Sequence, residues 1–396
     1  MQTYNNGNPL AKFHYGDVTK GMELFVEVFN AITLKSLVMI GVGGLLMYLA
    51  VKKGFEPSLL LPMGFGTILV NLPLSSALDQ IAGGKVVEGA LSMLFKIGIA
   101  TEIMPLLILI AVGAMCDFTP LLANPKVFLF GLTAQGGIFL TMGIALFFGY
   151  NVFEAASIGI IGAADGPTSI YVATRFAPNL LGPISVAAYT YMALVPLIQP
   201  PVIMALTTQK ERRIKMTYAP NSISKMTLIL FPVLVTILGG IVAPASVALL
   251  GFVMFGNLLR VSGVTDRLSN AAQNELANIV TILLGFSIAA TMTGEKFVNA
   301  GTLVIISMGL VAFVLDTASG VLTAKLFNIF LPENKRVNPM IGAAGISAFP
   351  MSARTIQRMG QKADPHNYLL MHAVGANVAG QIGSVLAGGI LLAYLG

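Results

Sequence analysis

Apolar residues in this chain come in long runs, and the runs do not alternate apolar with polar positions. Ten of them reach or approach the roughly 20 residues that a helix needs to cross a membrane. None shows the period-two alternation of a barrel strand. Because only helices and closed barrels satisfy their backbone groups in lipid, these runs predict transmembrane helices. The predicted spans are Leu34–Val51, Leu59–Leu74, Ile99–Met115, Val127–Tyr150, Pro183–Leu206, Met226–Val242, Ala245–Leu259, Leu276–Met292, Leu303–Leu326 and Tyr368–Leu395.

Two further apolar segments, near 156–176 and 339–359, are interrupted by glycine and proline. In the first, Gly166 and Pro167 directly follow Asp165 within apolar sequence. Proline lacks an N–H and clashes with the preceding turn, so a helix must break there. In lipid the freed backbone groups need protein, water or an ion. We expect two discontinuous or re-entrant helices. The alternative is a surface loop with Asp165 as a turn or N-cap residue.

The two halves of the chain resemble each other. The sequence Ile161-Gly162-Ala163-Ala164 recurs as Ile341-Gly342-Ala343-Ala344, with long apolar helices before and after each copy. The predicted organisation is a tail at 1–33, a first repeat at 34–206, a basic linker at 207–225 and a second repeat at 226–396. Five crossings and one re-entrant piece per repeat would invert the second relative to the first. The prediction is an all-α polytopic membrane protein with about 10–11 transmembrane helices in two inverted repeats.

Composition and charge agree with a membrane protein. The chain is 56% hydrophobic and 10% charged, whereas soluble domains are about 25% charged. The net charge of +6 does not indicate nucleic acid, because most basic residues fall in loops on one predicted face. That face is expected to be the cytoplasmic side of the inner (plasma) membrane. Cys116 is the only cysteine and the three histidines are scattered, so no bound transition metal is expected. Residues 21–31 predict an interfacial helix.

Asp165 is the strongest candidate for chemistry, because an acid beside a backbone break at membrane depth usually serves function. Backbone carbonyls and the hydroxyl of Thr168 can join its carboxylate. Oxygen ligands around one carboxylate suit a hard cation such as Na⁺, and unwound helices coordinate Na⁺ in other transporters. Asp316 also lies within a predicted span. It is either a second functional acid or a partner for hydroxyl groups on a neighbouring helix.

The second broken segment and the last helix offer mainly neutral polar groups. These candidates are Asn338, Gly342, Ser347, Arg354, Asn377, Gln381 and Ser384. Asn377 and Ser384 are seven residues apart, which places them on one helix face where they can meet Asp165. Their alternative role is hydrogen bonding between closely packed helices. Arg354 is either a basic loop residue or a clamp for a carboxylate. Tyr191, inside a span, is either an interface anchor or a proton relay.

Three stretches resemble the beta subunit of the biotin-dependent, sodium-pumping decarboxylases, whose substrates include oxaloacetate, methylmalonyl-CoA, glutaconyl-CoA and malonate. They are Gly162-Ala163-Ala164-Asp165-Gly166-Pro167-Thr168, Tyr191 to Pro201 and Gly64 to Pro73. The resemblance runs from about residue 35 to the C-terminus. Ala163 stands where many relatives carry a second glycine, and residues 1–33 match nothing in the family.

The resemblance implies a subunit that decarboxylates carboxybiotin and couples this to Na⁺ export, with a proton consumed. It implies catalytic roles for Asp165, Tyr191, Ser347 and Arg354, a carboxybiotin side formed by Arg354, Asn338 and Gly342, and Na⁺ ligands in Asp165, Thr168, Asn377 and Ser384. The implied partners are a carboxyltransferase (alpha) subunit, a biotin carrier protein or domain and a small single-span membrane subunit, in a homo-oligomer. On the residues alone, a Na⁺-coupled carboxylate transporter or a Na⁺/H⁺ antiporter fits equally well.

Overall fold

The computed structural model describes residues 26, 28–82, 84–217 and 223–396. Over these residues the fold is helical, apart from a small antiparallel hairpin of β1 (Gln80–Ala82) and β2 (Lys85–Val87). The α-helices are α1 (Leu34–Lys53), α2 (Pro57–Asn71), α3 (Ala90–Gly98), α4 (Ile103–Met115), α5 (Thr119–Ala123), α6 (Phe128–Ala134), α7 (Gly136–Phe147), α8 (Val152–Gly159), α9 (Gly166–Phe176), α10 (Leu181–Leu206), α11 (Gln209–Arg212), α12 (Lys225–Val242), α13 (Val247–Val261), α14 (Asp266–Ala271), α15 (Ala277–Ala289), α16 (Gly294–Phe297), α17 (Ala300–Ile329), α18 (Met340–Ala343), α19 (Met351–Ala363) and α20 (Leu370–Leu395). Short 3₁₀ turns cover Pro125–Val127, Ile160–Ala163, Pro178–Leu180, Pro244–Ser246 and Glu333–Lys335, and a π-helical turn covers Ala272–Leu276.

All ten predicted spans are largely helical in the structure. Among the described residues, seven helices are long and apolar enough to cross a membrane, when Pro125–Phe147 and Pro244–Val261 are each counted as one helix with the short turn before it. The bent pair α3–α4 makes up to eight. The remaining two predicted spans contain α2 and α15, which have 15 and 13 residues. The prediction of an all-α polytopic membrane protein is confirmed.

Two breaks within predicted spans were not expected. The apolar helix α3 was not predicted, and it meets α4 at an angle of 63°. At that bend Glu102 has a left-handed backbone, with φ of 63°. The predicted span Val127–Tyr150 is also interrupted, because α6 ends before Gln135 and α7 begins after it. The side-chain amide of Gln135 donates to carbonyls of Gly131 and Gly345, which holds this break in place.

Both segments expected to be broken are broken. In the first, α8 runs into the 3₁₀ turn Ile160–Ala163, and α9 starts after Asp165. In the second, the single turn of α18 is followed by irregular chain until α19 begins at Met351. Both breaks are enclosed by other helices, and Asp165 is only 4% exposed. The surface-loop alternative is therefore wrong, although Asp165 is indeed an N-cap residue.

Helices of the two halves pack in a reciprocal pattern. The second predicted span of each half contacts the third predicted span of the other, as α2 with α15 and α13 with α4. Likewise the last helix of each half contacts a long span of the other: α10 contacts α17, and α20 contacts α6, which is the first part of the span Pro125–Phe147. The α4–α13 crossing is close, because a Cβ on Gly113 would lie 1.8 Å from the Val253 carbonyl oxygen. This pattern supports the division into two repeats, which stays a prediction.

The predicted interfacial helix and the basic linker are only partly covered by the described residues. The interfacial helix predicted over 21–31 falls mostly outside the described residues. The basic linker is described at 207–217 and 223–225, where it contains the short helix α11. Thr208 caps α11, and Lys325 of α17 pairs with Glu211 at 3.2 Å. The described part of the linker is thus fastened to the helical body.

Candidate functional site

Asp165 lies at the centre of a buried cluster of oxygen atoms. Its Oδ2 accepts hydrogen bonds from the hydroxyls of Thr168 and Ser384, each at 2.7 Å. Its Oδ1 accepts from the backbone N–H of Thr168 at 3.3 Å. Thr168 and Ser384 have no exposed surface. The cluster therefore joins the first broken segment to α20, across 219 positions of sequence.

The local sequence explains how the carboxylate is presented. The 3₁₀ turn ends at Ala164 in a left-handed conformation, with φ of 53°, which turns the chain sharply before Asp165. Pro167 then occupies the first turn of α9, where its missing N–H costs nothing. The hydroxyl of Ser169 donates to the backbone carbonyl of Asp165 at 2.8 Å. The carboxylate thus sits at the N-terminal end of α9, where the helix dipole is positive.

The second broken segment reaches the same place through its backbone. The N–H of Ser347 donates to the carbonyl of Ala163 at 2.9 Å, so the two breaks are hydrogen-bonded to each other. The Ser347 hydroxyl donates to the carbonyl of Gly380 at 2.8 Å. The Gln381 amide in turn donates to the carbonyl of Ser347. Both breaks and α20 therefore form one connected unit.

Asn377 of α20 holds the second break and keeps one atom free. Its side-chain N–H₂ group donates to the carbonyls of Ala344 and Ile346, at 3.1 and 2.6 Å. Its Oδ1 is buried and has no hydrogen-bond partner among the described residues. An unpartnered buried acceptor costs free energy, and a cation is one group that would satisfy it.

The contacts of Asn338 and Gly342 are with the linker and with α17, and not with the Asp165 carboxylate. Asn338 is buried, and its side chain donates to the carbonyls of Arg212 and Ile214 at 2.9 Å each. It thereby ties the linker to the start of α18. Gly342 packs on Gly320 so closely that a Cβ would lie 2.0 Å from the Gly320 carbonyl oxygen.

Tyr191 and Arg354 do not contact the Asp165 cluster. The Tyr191 hydroxyl donates to the backbone carbonyl of Ile306, so it is already occupied. Arg354 is exposed on α19, where Arg358 and Lys362 follow at intervals of four residues on the same face. Arg354 is therefore placed at a basic surface and not at the buried cluster.

The structure singles out a different tyrosine beside the cluster. A Cβ on Gly166 would lie 2.2 Å from the phenol carbon Cζ of Tyr189, so the hydroxyl end of this ring covers the residue next to Asp165. Tyr189 is 3% exposed, and its hydroxyl has no partner among the described residues. Sequence reasoning missed it, because two tyrosines two residues apart in an apolar span offer no signal that separates them.

Asp316 is fully buried, and its hydrogen bond is not the expected pairing with a hydroxyl group, while a function as a second acid stays a prediction. Its Oδ1 accepts from the backbone N–H of Ile138 at 3.0 Å, and not from a hydroxyl group. It thus caps the start of α7, the helix that begins after the break at Gln135. Its Oδ2 has no partner among the described residues and lies 2.4 Å from the position of a Cβ on Gly162. Asp316 therefore also packs against the first broken segment.

The fold and this cluster define a class of protein. Broken helices that meet at a buried carboxylate, inside a bundle of membrane-spanning helices, are typical of ion-translocating membrane proteins.

Comparison with known proteins identifies the family. The family model described as the Na⁺-transporting oxaloacetate decarboxylase beta subunit matches residues 35–395. The methylmalonyl-CoA decarboxylase beta subunit of Veillonella parvula is 50% identical, covering 93% of this chain and 95% of the relative. The glutaconyl-CoA decarboxylase beta subunit of Acidaminococcus fermentans is 49% identical, with coverage of 93% and 95%. The oxaloacetate decarboxylase beta chain of Klebsiella pneumoniae is 45% identical, with coverage of 90% and 94%. The chain belongs to the beta subunit family of the Na⁺-transporting decarboxylases, a family of carboxy-lyases, which confirms the resemblance seen in the sequence.

Proposed function

We propose that this chain is the membrane subunit of a biotin-dependent decarboxylase, which decarboxylates carboxybiotin and uses the reaction to export Na⁺. The family membership supports the reaction class. The proposed ion site is supported by one observation above all. The carboxylate of Asp165 is buried and accepts hydrogen bonds from the hydroxyls of Thr168 and Ser384, where the two broken segments meet.

The proposed Na⁺ ligands are Asp165, Thr168, Ser384 and the free Oδ1 of Asn377. All are oxygen donors, which a hard cation prefers. The two hydroxyls now donate to the carboxylate, but a hydroxyl also carries two acceptor lone pairs. On arrival of Na⁺ each hydroxyl can rotate its hydrogen away and present a lone pair to the ion. Ser347 supports the site from the second segment through Ala163.

The proposed carboxybiotin contact is Arg354, because a guanidinium pairs with a carboxylate through two parallel hydrogen bonds. In the reaction the bond between the ureido nitrogen and the carboxylate carbon breaks, and its electron pair stays on nitrogen. The nitrogen takes up one proton and CO₂ departs. Asn338 and Gly342 act indirectly, by fixing the linker and the start of the second broken segment. Tyr191 is proposed as a proton relay, a role in which its hydroxyl must leave the Ile306 carbonyl.

The proposed partners follow from what a beta subunit of this family needs. They are a carboxyltransferase (alpha) subunit, a biotin carrier protein or domain and a small single-span membrane subunit, in a complex that is a homo-oligomer of this chain. Relatives of 45–50% identity bear the names of three different acyl substrates. Sequence similarity of the beta subunit therefore does not assign the acyl substrate. We propose that the carboxyltransferase subunit recognises it. We place the linker side in the cytoplasm and the chain in the inner (plasma) membrane.

The test uses the complete complex in lipid vesicles. Na⁺ uptake and CO₂ release are followed together, with and without avidin, in wild type, in Asp165→Asn and in the matched control Asp266→Asn, whose carboxylate is exposed at the start of α14. Avidin should stop both activities, Asp165→Asn should abolish both, and Asp266→Asn should leave both near wild type. Na⁺ movement that ignores avidin and releases no CO₂ would show a carrier or antiporter and overturn the proposal.

A further inference from the structure

The side of the bundle that faces away from the linker contains a large cavity. Its volume is about 780 Å³, and its lining includes Gly182 and Pro183 at the start of α10 together with Asp79, Lys96, Thr291 and Glu295. The 26 residues of α10 correspond to about 39 Å, more than the roughly 30 Å of a bilayer core. Because the linker follows the other end of α10, this cavity opens on the opposite face of the membrane.

Two unpartnered hydroxyls on α10, those of Ser185 and Tyr189, form a line between this cavity and Gly166, the neighbour of Asp165. Gly182, Ser185 and Tyr189 are spaced by three and four residues, so they share one helix face. Ser185 is 1% exposed and Tyr189 is 3% exposed, and neither hydroxyl has a hydrogen-bond partner among the described residues. From Gly182, Ser185 lies about 4.5 Å and Tyr189 about 10 Å along the helix axis. At the inner end of this line, the Tyr189 ring covers Gly166, the neighbour of Asp165.

Two hydroxyls buried without partners on the same helix face are costly, and buried polar groups are nearly always satisfied. An ion that passes along the face would satisfy each hydroxyl in turn through its lone pairs. Tyr191 is the useful contrast, since its hydroxyl is bonded to the Ile306 carbonyl on another side of α10. The cavity is lined by two acids, Asp79 and Glu295, and by two lysines, Lys96 and Lys296, and Asp79 pairs with Lys96 at 3.0 Å.

We propose that Tyr189 and Ser185 form the release route by which Na⁺ leaves Asp165 for this cavity, with the Tyr189 hydroxyl as its first ligand on the way out. This inference rests on the proposed function, because it assumes that Asp165 carries Na⁺. It adds two residues and an exit that neither the family resemblance nor the motif analysis assigns.

The first test separates release from loading in the reconstituted complex. Tyr189→Phe removes one oxygen and keeps the ring on Gly166, and Tyr48→Phe is the matched control, with a half-exposed ring on α1. Losing one ligand to a charged ion should lower the maximal rate of Na⁺ transport about tenfold. The half-saturating Na⁺ concentration on the linker side should stay at the wild-type value, because Asp165, Thr168 and Ser384 remain. A wild-type rate in Tyr189→Phe, or a change only in half-saturation, would overturn the route.

The second test asks whether the line is open to the far side. Cys116 is the only cysteine and is buried, so Ser185→Cys can be probed with a membrane-impermeant cationic thiol reagent. The reagent should modify Ser185→Cys from the far side only, and more slowly in the presence of Na⁺. Leu197→Cys, at an exposed position of the same helix, is the lipid-facing control and should not react. Failure of Ser185→Cys to react from the far side would contradict the route, while loss of activity in Asp165→Asn would still support the proposed function.

Discussion

Ser384→Ala is the change that most directly tests the geometry of the proposed ion site. The Ser384 hydroxyl is one of two that bond to Oδ2 of Asp165, at 2.7 Å, and it has no exposed surface. The substitution removes only an oxygen from α20 and leaves the carboxylate and Thr168 in place. It also creates almost no cavity, so packing should change little.

The expected magnitude follows from the charge of the partner. Hydrogen bonds to charged groups contribute about 1.5–3 kcal/mol, which corresponds to a factor of about ten to one hundred in an equilibrium constant. If the hydroxyl ligates Na⁺ directly, the half-saturating Na⁺ concentration should rise by about that factor. The maximal rate at saturating Na⁺ should change much less, because the loss concerns binding of the ion.

The assay is the Na⁺ dependence of CO₂ release by the complete complex, together with direct binding of radioactive Na⁺. Ser169→Ala is the matched control, because that hydroxyl donates to backbone carbonyls of Asp165 and Ile160 and not to the carboxylate. We expect Ser169→Ala to shift half-saturation less than about threefold, from a loss of 0.5 kcal/mol or so. An unchanged Na⁺ dependence in Ser384→Ala, or a larger shift in Ser169→Ala, would refute the reasoning.

Two further predictions concern stability. Gly113→Ala would put a Cβ 1.8 Å from a backbone oxygen of the facing helix, so we expect it to lower the free energy of unfolding by about 1–3 kcal/mol. Gly41→Ala, which has nothing within 4 Å, should be neutral or slightly stabilising, and thermal unfolding of the purified protein in detergent measures both. A backbone N–H two residues on and a lysine ion pair lower the pKa of Asp364. Its stabilising contribution is therefore present above the ordinary value of about 3.9 and is lost as the pH falls through the lower folded value. Asp364→Asn should destabilise at pH 7, and its difference from wild type should shrink at acidic pH; a difference that grows there would contradict the assignment.

The parts of the site that were predictable from sequence are those with a local cause. Asp165 stands out because an acid and a Gly-Pro pair interrupt apolar sequence, and these three residues are consecutive in the chain. Its contact with Ser384 was predicted through helix-face spacing on the last span, and the structure places the two side chains in direct contact. Hydrophobic length alone identified ten helical segments, because lipid leaves the backbone no other solution.

The parts that sequence reasoning missed have causes distant in the chain. The break at Gln135 depends on a carbonyl of Gly345, 210 positions away, and on the capping carboxylate of Asp316, 178 positions from Ile138. The choice of Tyr189 over Tyr191 depends on which ring lies over Gly166. Propensities and periodicity contain no information about such contacts, so they became visible only with the packed helices.

Packing also gives a physical reason for the single acid of the site. When the two copies of Ile-Gly-Ala-Ala are aligned, Gly345 falls where Asp165 stands in the first copy. A Cβ on Gly345 would lie 2.3 Å from the carbonyl oxygen of Phe130, so no side chain fits there without moving α6. The second break therefore contributes backbone groups, while the first contributes the Asp165 carboxylate. The N–H of Ser347 bonds to the carbonyl of Ala163. A shift of the second segment would therefore move the backbone at Ala163, two residues before Asp165. Arg354 lies seven residues beyond Ser347 on the same segment, so the proposed binding of an anion at that basic surface would act on the proposed ion site over a short stretch of chain.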